Sequence, residues 1–321
     1  MPRQIALLRL DGLGGTVTLS NQAKKIKELT GDSIVVIVRK YGELFKNNPY
    51  IDEIIEVGNY YWRTCFQYYR LLFPIICEFR YTSARWYSLR KGQIPNVTPH
   101  RGLQFIYDNH MKYRTPTIKK VFDTEFLQLN QSQMVDLSLG LDPTDIDIHV
   151  FTDQAVEVPD QYIVVNNGAD EIHGGKRQSK LWPTGYWTEL VKQQIVPVVQ
   201  VGTTFDLVIP GVIDLRGKTS VFQLLYVLKK STVIVCTEGG IMHLAYAVGA
   251  RKVIVIQGPT AAHEYTYPSH YILKSSLCSG CWGSIPDWKW KCPLHRDYIC
   301  MDSISPSFVN NSLQEILWQW V

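Results

Sequence analysis

The sequence predicts an α/β protein of two doubly wound domains that face each other across a cleft. Apolar runs alternate with segments of helical spacing through both halves, which favours parallel sheets joined by right-handed crossovers. The alternation is interrupted over Pro143–Pro159, which is rich in Asp, Thr and Pro. A chain of 321 residues is long enough for two domains. We place the domains at 1–155 and 156–305, followed by a C-terminal helix at 306–321.

The first half begins with the strand Ile5–Arg9, a glycine-rich turn over Asp11–Gly15 and the helix Thr18–Leu29. The next run, Ser33–Val38, is apolar at almost every position, as in a parallel strand covered on both faces. Further strands are predicted at Asp52–Val57 and, from a weaker signal, at Ile75–Phe79.

The second half shows the same alternation without any internal sequence repeat. Its predicted strands are Tyr162–Asn166, Val196–Val201, Val233–Cys236 and Val253–Ile256. Its predicted helices are Gly185–Gln194, Val221–Lys230, Ile241–Val248 and the amphipathic Pro306–Val321. Because ligands of doubly wound sheets bind beyond the carboxyl ends of the strands, the loops that follow these strands are the first place to expect a site.

Composition excludes several classes of protein. Apolar residues make up 45% of the chain and charged residues 19%, which is typical of a globular protein and not of a disordered one. A net charge of +4 does not by itself imply nucleic acid. No apolar run is long enough to span a membrane, and Arg9 and Asp11 interrupt the N-terminal run, so no signal peptide is predicted. We expect a cytoplasmic protein, with peripheral attachment to the inner face of the membrane as an open alternative.

Residues 60–120 are both basic and aromatic. They contain 11 Lys and Arg residues against two acids, Glu78 and Asp108. Since aromatic residues at helical spacing usually pack in a core, one interpretation is a pair of helices with a solvated basic face. The other is a surface that binds a polyanion, an anionic membrane or a glycan.

Two loops have the composition of phosphate-binding loops. Gly12, Gly14 and Gly15 lie between a strand and a helix, where glycine allows close backbone approach and the helix N-terminus attracts anions. Their spacing is not that of the dinucleotide motif G-x-G-x-x-G, and glycines in tight turns also have a purely steric role. In the second half, Lys176 and Lys180 lie in a loop after a strand and suit a diphosphate. A solvated loop is the alternative.

The most informative segment follows the strand Val233–Cys236. Glu238, Gly239 and Gly240 lead into a helix whose first turn carries His243. A carboxylate beside two glycines suits recognition of sugar hydroxyls, while the backbone N–H groups of the helix start remain available for phosphate. For His243 taken alone, a structural role near the helix start is favoured.

Four of the seven cysteines lie close together in the sequence, as Cys278, Cys281, Cys292 and Cys300. In a reducing compartment such clustering favours a metal over disulfides. A C-x2-C pair places two thiolates on one side of a turn, and two later thiolates complete a tetrahedral site for Zn or Fe. Free thiols or disulfides are the alternative, and His295 is a competing ligand. A site with four thiolates has no open position, so we interpret this metal as structural.

Three motifs follow one another in the second half of the chain. They are Ser179-Lys-Leu-Trp-Pro183, Glu238-Gly-Gly-Ile-Met-His-Leu244 and Gly258-Pro-Thr260. Together they resemble glycosyltransferase family 9, the heptosyltransferase-like enzymes of the GT-B fold with two Rossmann-like domains. The cysteine segment resembles the cysteine finger of bacterial autotransporter heptosyltransferases, which bind iron there. The resemblance covers nearly the whole chain except residues 60–120.

The resemblance implies inverting transfer of a sugar, with a heptose among the candidates, from a nucleotide-diphosphate sugar to a glycan, protein or other acceptor. It places the acceptor in the first domain and the donor in the second. Lys180 then contacts the donor phosphates, and Glu238, Gly239, Gly240 and His243 contact the donor. A lysine and a helix N-terminus can stabilise the leaving diphosphate, so no catalytic metal is expected. Assembly of identical chains is left open.

The family's general base is the Asp of a Leu-Gly-Asp triplet, and this position is Gly15 here. Asp11, four residues upstream, is the nearest carboxylate in the turn and our candidate base, with a turn-capping role as the alternative. Two other functions therefore stay open. One is a binding subunit for glycans or nucleotide-sugars with little or no activity, and the other is a glycosyltransferase that acts on nucleic acid.

Overall fold

A computed structural model describes most of the chain. The described residues are 3–10, 12–58, 62–80, 83–88, 96–99, 101, 129–151, 154–168, 177–250, 252–260, 266–281, 285 and 287–318. Those up to Phe151 form one compact unit and those from Gln154 onward form the other. Asp11, Lys176 and much of the basic segment 60–120 lie outside the described residues, so the predictions made for them stay predictions.

The first unit contains a five-stranded sheet in the order β3-β2-β1-β4-β5. Its strands are β1 (Gln4–Arg9), β2 (Ser33–Val38), β3 (Glu53–Glu56), β4 (Ile75–Arg80) and β5 (Ser83–Ser88). Strands β1 to β4 pair in parallel, and β5 pairs antiparallel with β4. The last five residues of β1 and of β2 are all buried, as expected for central strands covered on both faces.

The helices described in this unit are α1 (Leu13–Thr30), α2 (Trp62–Leu72) and α3 (Gln131–Leu139), with a 3-10 turn at Gly42–Phe45. Helix α1 begins five residues earlier than predicted, so the proposed glycine-rich turn is wrong for Gly14 and Gly15, which lie in the first helical turn. The buried residues from Thr16 onward explain the difference, because tertiary packing overrides the low helix propensity of glycine.

Within the described part of 60–120, α2 is followed by β4 and β5, so a pair of helices is not formed there. Phe66 of α2 packs against Tyr87 of β5 with ring centres 4.9 Å apart. Tyr69 and Tyr87 also border the core on this face of the sheet. These aromatic side chains therefore contribute to packing. Tyr68, Leu71 and Leu72, by contrast, are exposed on the other side of α2.

The second unit contains a parallel six-stranded sheet in the order β11-β10-β9-β6-β7-β8. Its strands are β6 (Ile163–Asn166), β7 (Val198–Gln200), β8 (Ile213–Asp214), β9 (Val233–Thr237), β10 (Val253–Gln257) and β11 (His270–Lys274). Its helices are α4 (Thr184–Lys192), α5 (Val221–Lys230), α6 (Gly240–Ala247), α7 (Ile299–Asp302) and α8 (Pro306–Trp318). Strands β8 and β11, which form the two edges of the sheet, were not predicted from the sequence. An edge strand lacks the continuous apolar run of a buried one.

The core of the second unit is anchored by two tryptophans that flank the start of α4. Trp182 and Trp187 are almost fully buried, and their rings meet edge to face with centres 5.0 Å apart. The indole N–H of Trp182 donates to the carbonyl of Ile304 at 2.8 Å. This bond ties the segment before α4 to the segment before α8. In the described chain, we find no helix that is both long and apolar enough to cross a membrane.

Candidate functional site

Residues from two sequence motifs meet at the carboxyl ends of β6 and β9, which are neighbours in the sheet. Glu238 directly follows β9, and Lys180 lies between β6 and α4. The Lys180 ammonium forms an ion pair with Oε2 of Glu238, and their side chains are only 13% and 6% exposed. Two residues predicted to bind the donor are therefore in direct contact.

Gly239 and Gly240 place the backbone of helix α6 beside this ion pair. Gly239 is the N-cap in an extended conformation, and Gly240 is the first helical residue. A Cβ atom at Gly239 would meet nothing within 4 Å among the described atoms. The first N–H groups of a helix have no partner within the helix, and the dipole makes this end attractive to anions. The space beside Gly239 is thus open at the start of α6 among the described atoms.

His243 lies one turn into α6 and is 5% exposed. Its Nδ1 lies 2.6 Å from the hydroxyl of Tyr267. The Tyr267 ring stacks on Tyr246, with ring centres 3.9 Å apart, and meets the ring of His270 at 5.1 Å. Sequence analysis missed Tyr267 and His270, because they belong to no motif and reach His243 only through the fold.

His270 is a buried imidazole whose two ring nitrogens have no hydrogen-bond partner in the described part of the chain. Burial, with a smaller contribution from the neighbouring His243, lowers the pKa of His270 to about 3. The native protein therefore holds His270 neutral in weakly acidic solution, where an unfolded chain protonates it.

This difference predicts a loss of stability in acid that a His270→Leu variant escapes. The unfolded state takes up a proton around and below its pKa of about 6.5, so the free energy of unfolding of the parent falls by about 2 kcal/mol between pH 7.5 and pH 5. Urea unfolding at pH 7.5 and pH 5 measures this effect. A matched His149→Leu change, at an exposed histidine, should keep the acid loss. An equal acid loss in His270→Leu and the parent would contradict the assignment.

In the first unit, two buried charges lie near the carboxyl ends of β1 and β4, which are neighbours in the sheet. Arg9 and Glu78 are each 1% exposed, and an Nη1 of Arg9 donates to Oγ1 of Thr18 at 3.1 Å. Sequence analysis did not select them, since a charge at the end of an apolar run usually indicates the end of a buried strand. Both charged side chains are therefore held inside the fold close to where β1 and β4 end.

The glycines predicted for the acceptor side lie at the start of α1. Gly12 is the N-cap, and a Cβ there would meet nothing within 4 Å among the described atoms. The carbonyl of Gly15 accepts a hydrogen bond from Thr18 at 2.8 Å. The first turn of α1 contains no acidic residue. Helix α1 therefore presents an N-terminus without a carboxylate at the position of Gly15.

A pocket with a volume of about 560 Å³ lies at the carboxyl ends of β2 and β3. Its lining residues are Lys40, Tyr41, Glu43, Glu56 and Gly58. Glu56 is oriented there by the backbone N–H of Gly42, which donates to its Oε2 at 2.9 Å. The pocket offers an ammonium, a phenol and two carboxylates, groups that suit the hydroxyls of a polar ligand.

The four clustered cysteines carry free thiols. Burial raises the pKa of Cys281 to about 11 and that of Cys300 to about 12, and in both cases the charges of the other clustered thiols add to the effect. The thiols are thus near enough to influence one another. Among the described residues, however, no group of three or more Cys, His, Asp or Glu is arranged to hold a metal ion. The metal site stays a prediction.

The backbone around these cysteines is tightly turned. Gly280, inside the C-x2-C pair, has a φ of +74°, which favours glycine, and its N–H donates to the carbonyl of Gly258 at 3.1 Å. The N–H of Arg296 donates to the Sγ of Cys292 at 3.4 Å. His295, the competing ligand in the sequence analysis, is exposed.

Comparison with known proteins agrees with this geometry. The model of the family "Glycosyltransferase family 9 (heptosyltransferase)" matches residues 110–275. No curated protein matches the chain. A glycosyl transferase family 9 structure from Veillonella parvula DSM 2008 shares 14% identity and a TM-score of 0.66, covering 99% of this chain and 97% of that one.

Two Escherichia coli structures are also similar. The iron-containing dodecameric glycosyltransferase TibC from enterotoxigenic E. coli H10407 shares 16% identity and a TM-score of 0.64, covering 98% of this chain and 78% of that one. The E. coli ADP-heptose LPS heptosyltransferase II shares 14% identity and a TM-score of 0.62, covering 98% and 99%. Because the family match spans more than half of the chain and the structures agree in fold, this protein belongs to glycosyltransferase family 9 and is a transferase of the GT-B fold.

Proposed function

We propose that this protein transfers a sugar, with inversion, from a nucleotide-diphosphate sugar to a glycan or protein acceptor, and that the donor is an ADP-linked heptose. The observation that carries the proposal is the buried ion pair between Lys180 and Glu238 beside the open N-terminus of α6. The choice of donor is supported by TibC, whose structure in complex with ADP-D-beta-D-heptose has a TM-score of 0.65 to this chain.

The chemistry follows from charge development in the reaction. The acceptor hydroxyl attacks the anomeric carbon, and the bond between that carbon and the diphosphate oxygen breaks. The leaving diphosphate gains negative charge, which the Lys180 ammonium and the N–H groups of α6 stabilise more strongly in the transition state than in the bound donor. Glu238 keeps the ammonium in place and accepts hydrogen bonds from hydroxyl groups of the donor.

The acceptor hydroxyl must lose its proton during the attack, and Asp11 is the proposed base. The alternative function, a binding subunit without turnover, is favoured by one specific observation. The first turn of α1, where the family has its carboxylate, contains no acidic residue. For an active enzyme, Asp11 is the carboxylate nearest to this turn in the sequence that can accept the proton of the acceptor hydroxyl.

Incubation of the purified protein with ADP-heptose tests the function. We expect calorimetric binding of ADP-heptose, and release of ADP when a lysate of acceptor glycans and proteins is added, with the heptosylated product identified by mass spectrometry. Binding without ADP release would support the binding subunit. Absence of binding by ADP-heptose, ADP and a panel of other nucleotide-sugars would overturn the proposal.

We also propose that Cys278, Cys281, Cys292 and Cys300 hold a structural Fe or Zn. Support comes from the clustering of the four cysteines in the sequence and from the backbone N–H that points to the Sγ of Cys292, since such bonds stabilise a thiolate. The similarity to TibC, which is an iron-containing glycosyltransferase, favours Fe. The dodecameric state of TibC supports assembly of identical chains as well, which light scattering measures.

Elemental analysis of freshly purified, reduced protein should find about one Fe or Zn per chain. A Cys281→Ser variant should lose most of this metal and unfold at a lower temperature, because metal binding at such a site is coupled to folding. Cys65→Ser, at a buried cysteine of the first unit, is the control and should keep the metal. Parent protein without stoichiometric Fe or Zn would contradict the metal site.

A further inference from the structure

The segment that carries Lys180 is attached directly to the cysteine finger, defined here as residues 278–300. The N–H of Ser179 donates to the carbonyl of Lys289 at 2.8 Å. The Lys180 ammonium lies 5.6 Å from the ring centre of Trp288, whose side chain is 8% exposed. Two consecutive residues of the finger therefore contact two consecutive residues of the donor loop, defined as residues 177–182.

A second set of contacts joins the other end of the donor loop to the far side of the finger. The Arg177 guanidinium pairs with Asp302, two residues beyond the finger, at 2.5 Å, and within the donor loop it donates to the carbonyl of Leu181 at 2.7 Å. It also lies 5.5 Å from the ring centre of Tyr298. The hydroxyl of Tyr298 donates back to the carbonyl of Trp290 at 2.5 Å. The donor loop is thus fastened to the finger at Arg177 and Ser179 as well as at Lys180.

We propose that Trp288, together with the backbone carbonyl of Lys289, positions Lys180 for the donor diphosphate, so that the cysteine finger supports the donor site. This inference rests on the proposed function of Lys180. The Lys side chain is flexible, and ordering it during ligand binding costs conformational entropy. The indole face attracts the ammonium without adding a negative charge, so Lys180, already paired with Glu238, is held more firmly in place without further neutralisation before it meets a phosphate.

The ADP affinity of Trp288 variants, measured by calorimetry, gives the first test. Trp288→Leu keeps an apolar side chain but removes the ring, and it should weaken ADP binding by about 3- to 10-fold. Trp288→Phe restores a ring face and should bind ADP nearly as well as the parent. The matched control is Tyr226→Leu on α5. It removes a similar contact, in which the Lys230 ammonium lies 5.9 Å from the centre of the Tyr226 ring, and it should leave ADP affinity unchanged.

Chemical labelling of Lys180 gives a second test that needs no ligand. Lys180 is 13% exposed, whereas Lys218 is 59% exposed and serves as an internal reference in the same unit. Limited acetylation followed by mass spectrometry should show a ratio of Lys180 to Lys218 labelling that is several-fold higher in Trp288→Leu than in the parent. The ratio should stay at the parent value in Trp288→Phe and in Tyr226→Leu. Metal content and the unfolding midpoint, measured in parallel, show whether the finger itself stays intact.

The outcomes separate this inference from the proposed function. If Lys180→Ala leaves ADP affinity unchanged, Lys180 is not a donor ligand and the proposed site is wrong. If Lys180→Ala weakens ADP binding while Trp288→Leu changes neither ADP affinity nor Lys180 labelling, the positioning role is wrong and the proposed function stands. In a third outcome, Trp288→Leu and Trp288→Phe both change ADP affinity and Lys180 labelling only in proportion to a lowered unfolding midpoint. Trp288 then has a structural role alone.

Discussion

Replacing Asp11 by Asn is expected to lower the kcat of sugar transfer by about 100-fold or more. The amide keeps the size and much of the hydrogen bonding of the carboxylate but cannot accept the proton of the acceptor hydroxyl. Because a general base acts in the transition state, the affinity for ADP-heptose should stay near that of the parent. Steady-state kinetics with the identified acceptor measure kcat, and calorimetry measures donor affinity.

Gly15→Asp is the complementary variant. It adds a carboxylate to the first turn of α1, where no acid is present, and the helix dipole favours a negative charge there. If Asp11 is the base, Gly15→Asp in the Asp11→Asn background should recover part of the lost turnover. Near-normal turnover in Asp11→Asn would show that Asp11 is only a turn residue. A parent without turnover that gains transfer through Gly15→Asp would instead indicate a binding subunit that has lost its base.

Replacing Lys180 by Ala is expected to weaken binding of the nucleotide-sugar by about 1.5–3 kcal/mol, which is roughly a 10- to 150-fold higher Kd. The physical reason is the loss of a charge-assisted contact to the diphosphate. Calorimetry with ADP-heptose measures the change. Lys192→Ala, at an exposed lysine at the end of α4, is the matched control and should leave the Kd unchanged.

The Lys180→Ala variant also leaves Glu238 buried without its cation, and this destabilises the fold. The double variant Lys180→Met with Glu238→Gln removes both charges and should recover much of the unfolding free energy, whereas its donor affinity should stay low. An unchanged Kd in Lys180→Ala would remove Lys180 from the site. Recovery of donor affinity in the double variant would show that the single variant acted only through stability.

Local sequence signals were sufficient for the central elements of both sheets. The bounds predicted for Ser33–Val38 and Val221–Lys230 are those of β2 and α5. Strand β2 is a continuous β-branched run, and α5 has both helical spacing and a capping box at Ser220 and Gln223. In such segments the residues that decide the structure are close in sequence, and their preferences agree with the tertiary fold.

The start of α1 and the edge strands depended on residues far away in the sequence. Helix α1 extends back to Leu13 although two glycines lie in its first turn, because the side chains that follow are buried in the unit. Strands β5, β8 and β11 pair at sheet edges, where a half-exposed strand carries a weak apolar pattern. Helix and strand propensities and hydrophobic periodicity are local properties of the sequence, so they do not predict these long-range contacts.

The same division holds for the candidate site. The sequence by itself identified the residues of the candidate sites, because the motifs around Lys180 and Glu238 and the cluster of four cysteines are local patterns along the chain. Only the tertiary structure decided that Lys180 and Glu238 form a buried ion pair, that Tyr267 holds His243, and that Trp288 of the cysteine finger covers Lys180. The reason is that parallel strands bring loops distant in sequence to one edge of the sheet, so the contacts that orient a site arise only when the sheet is assembled.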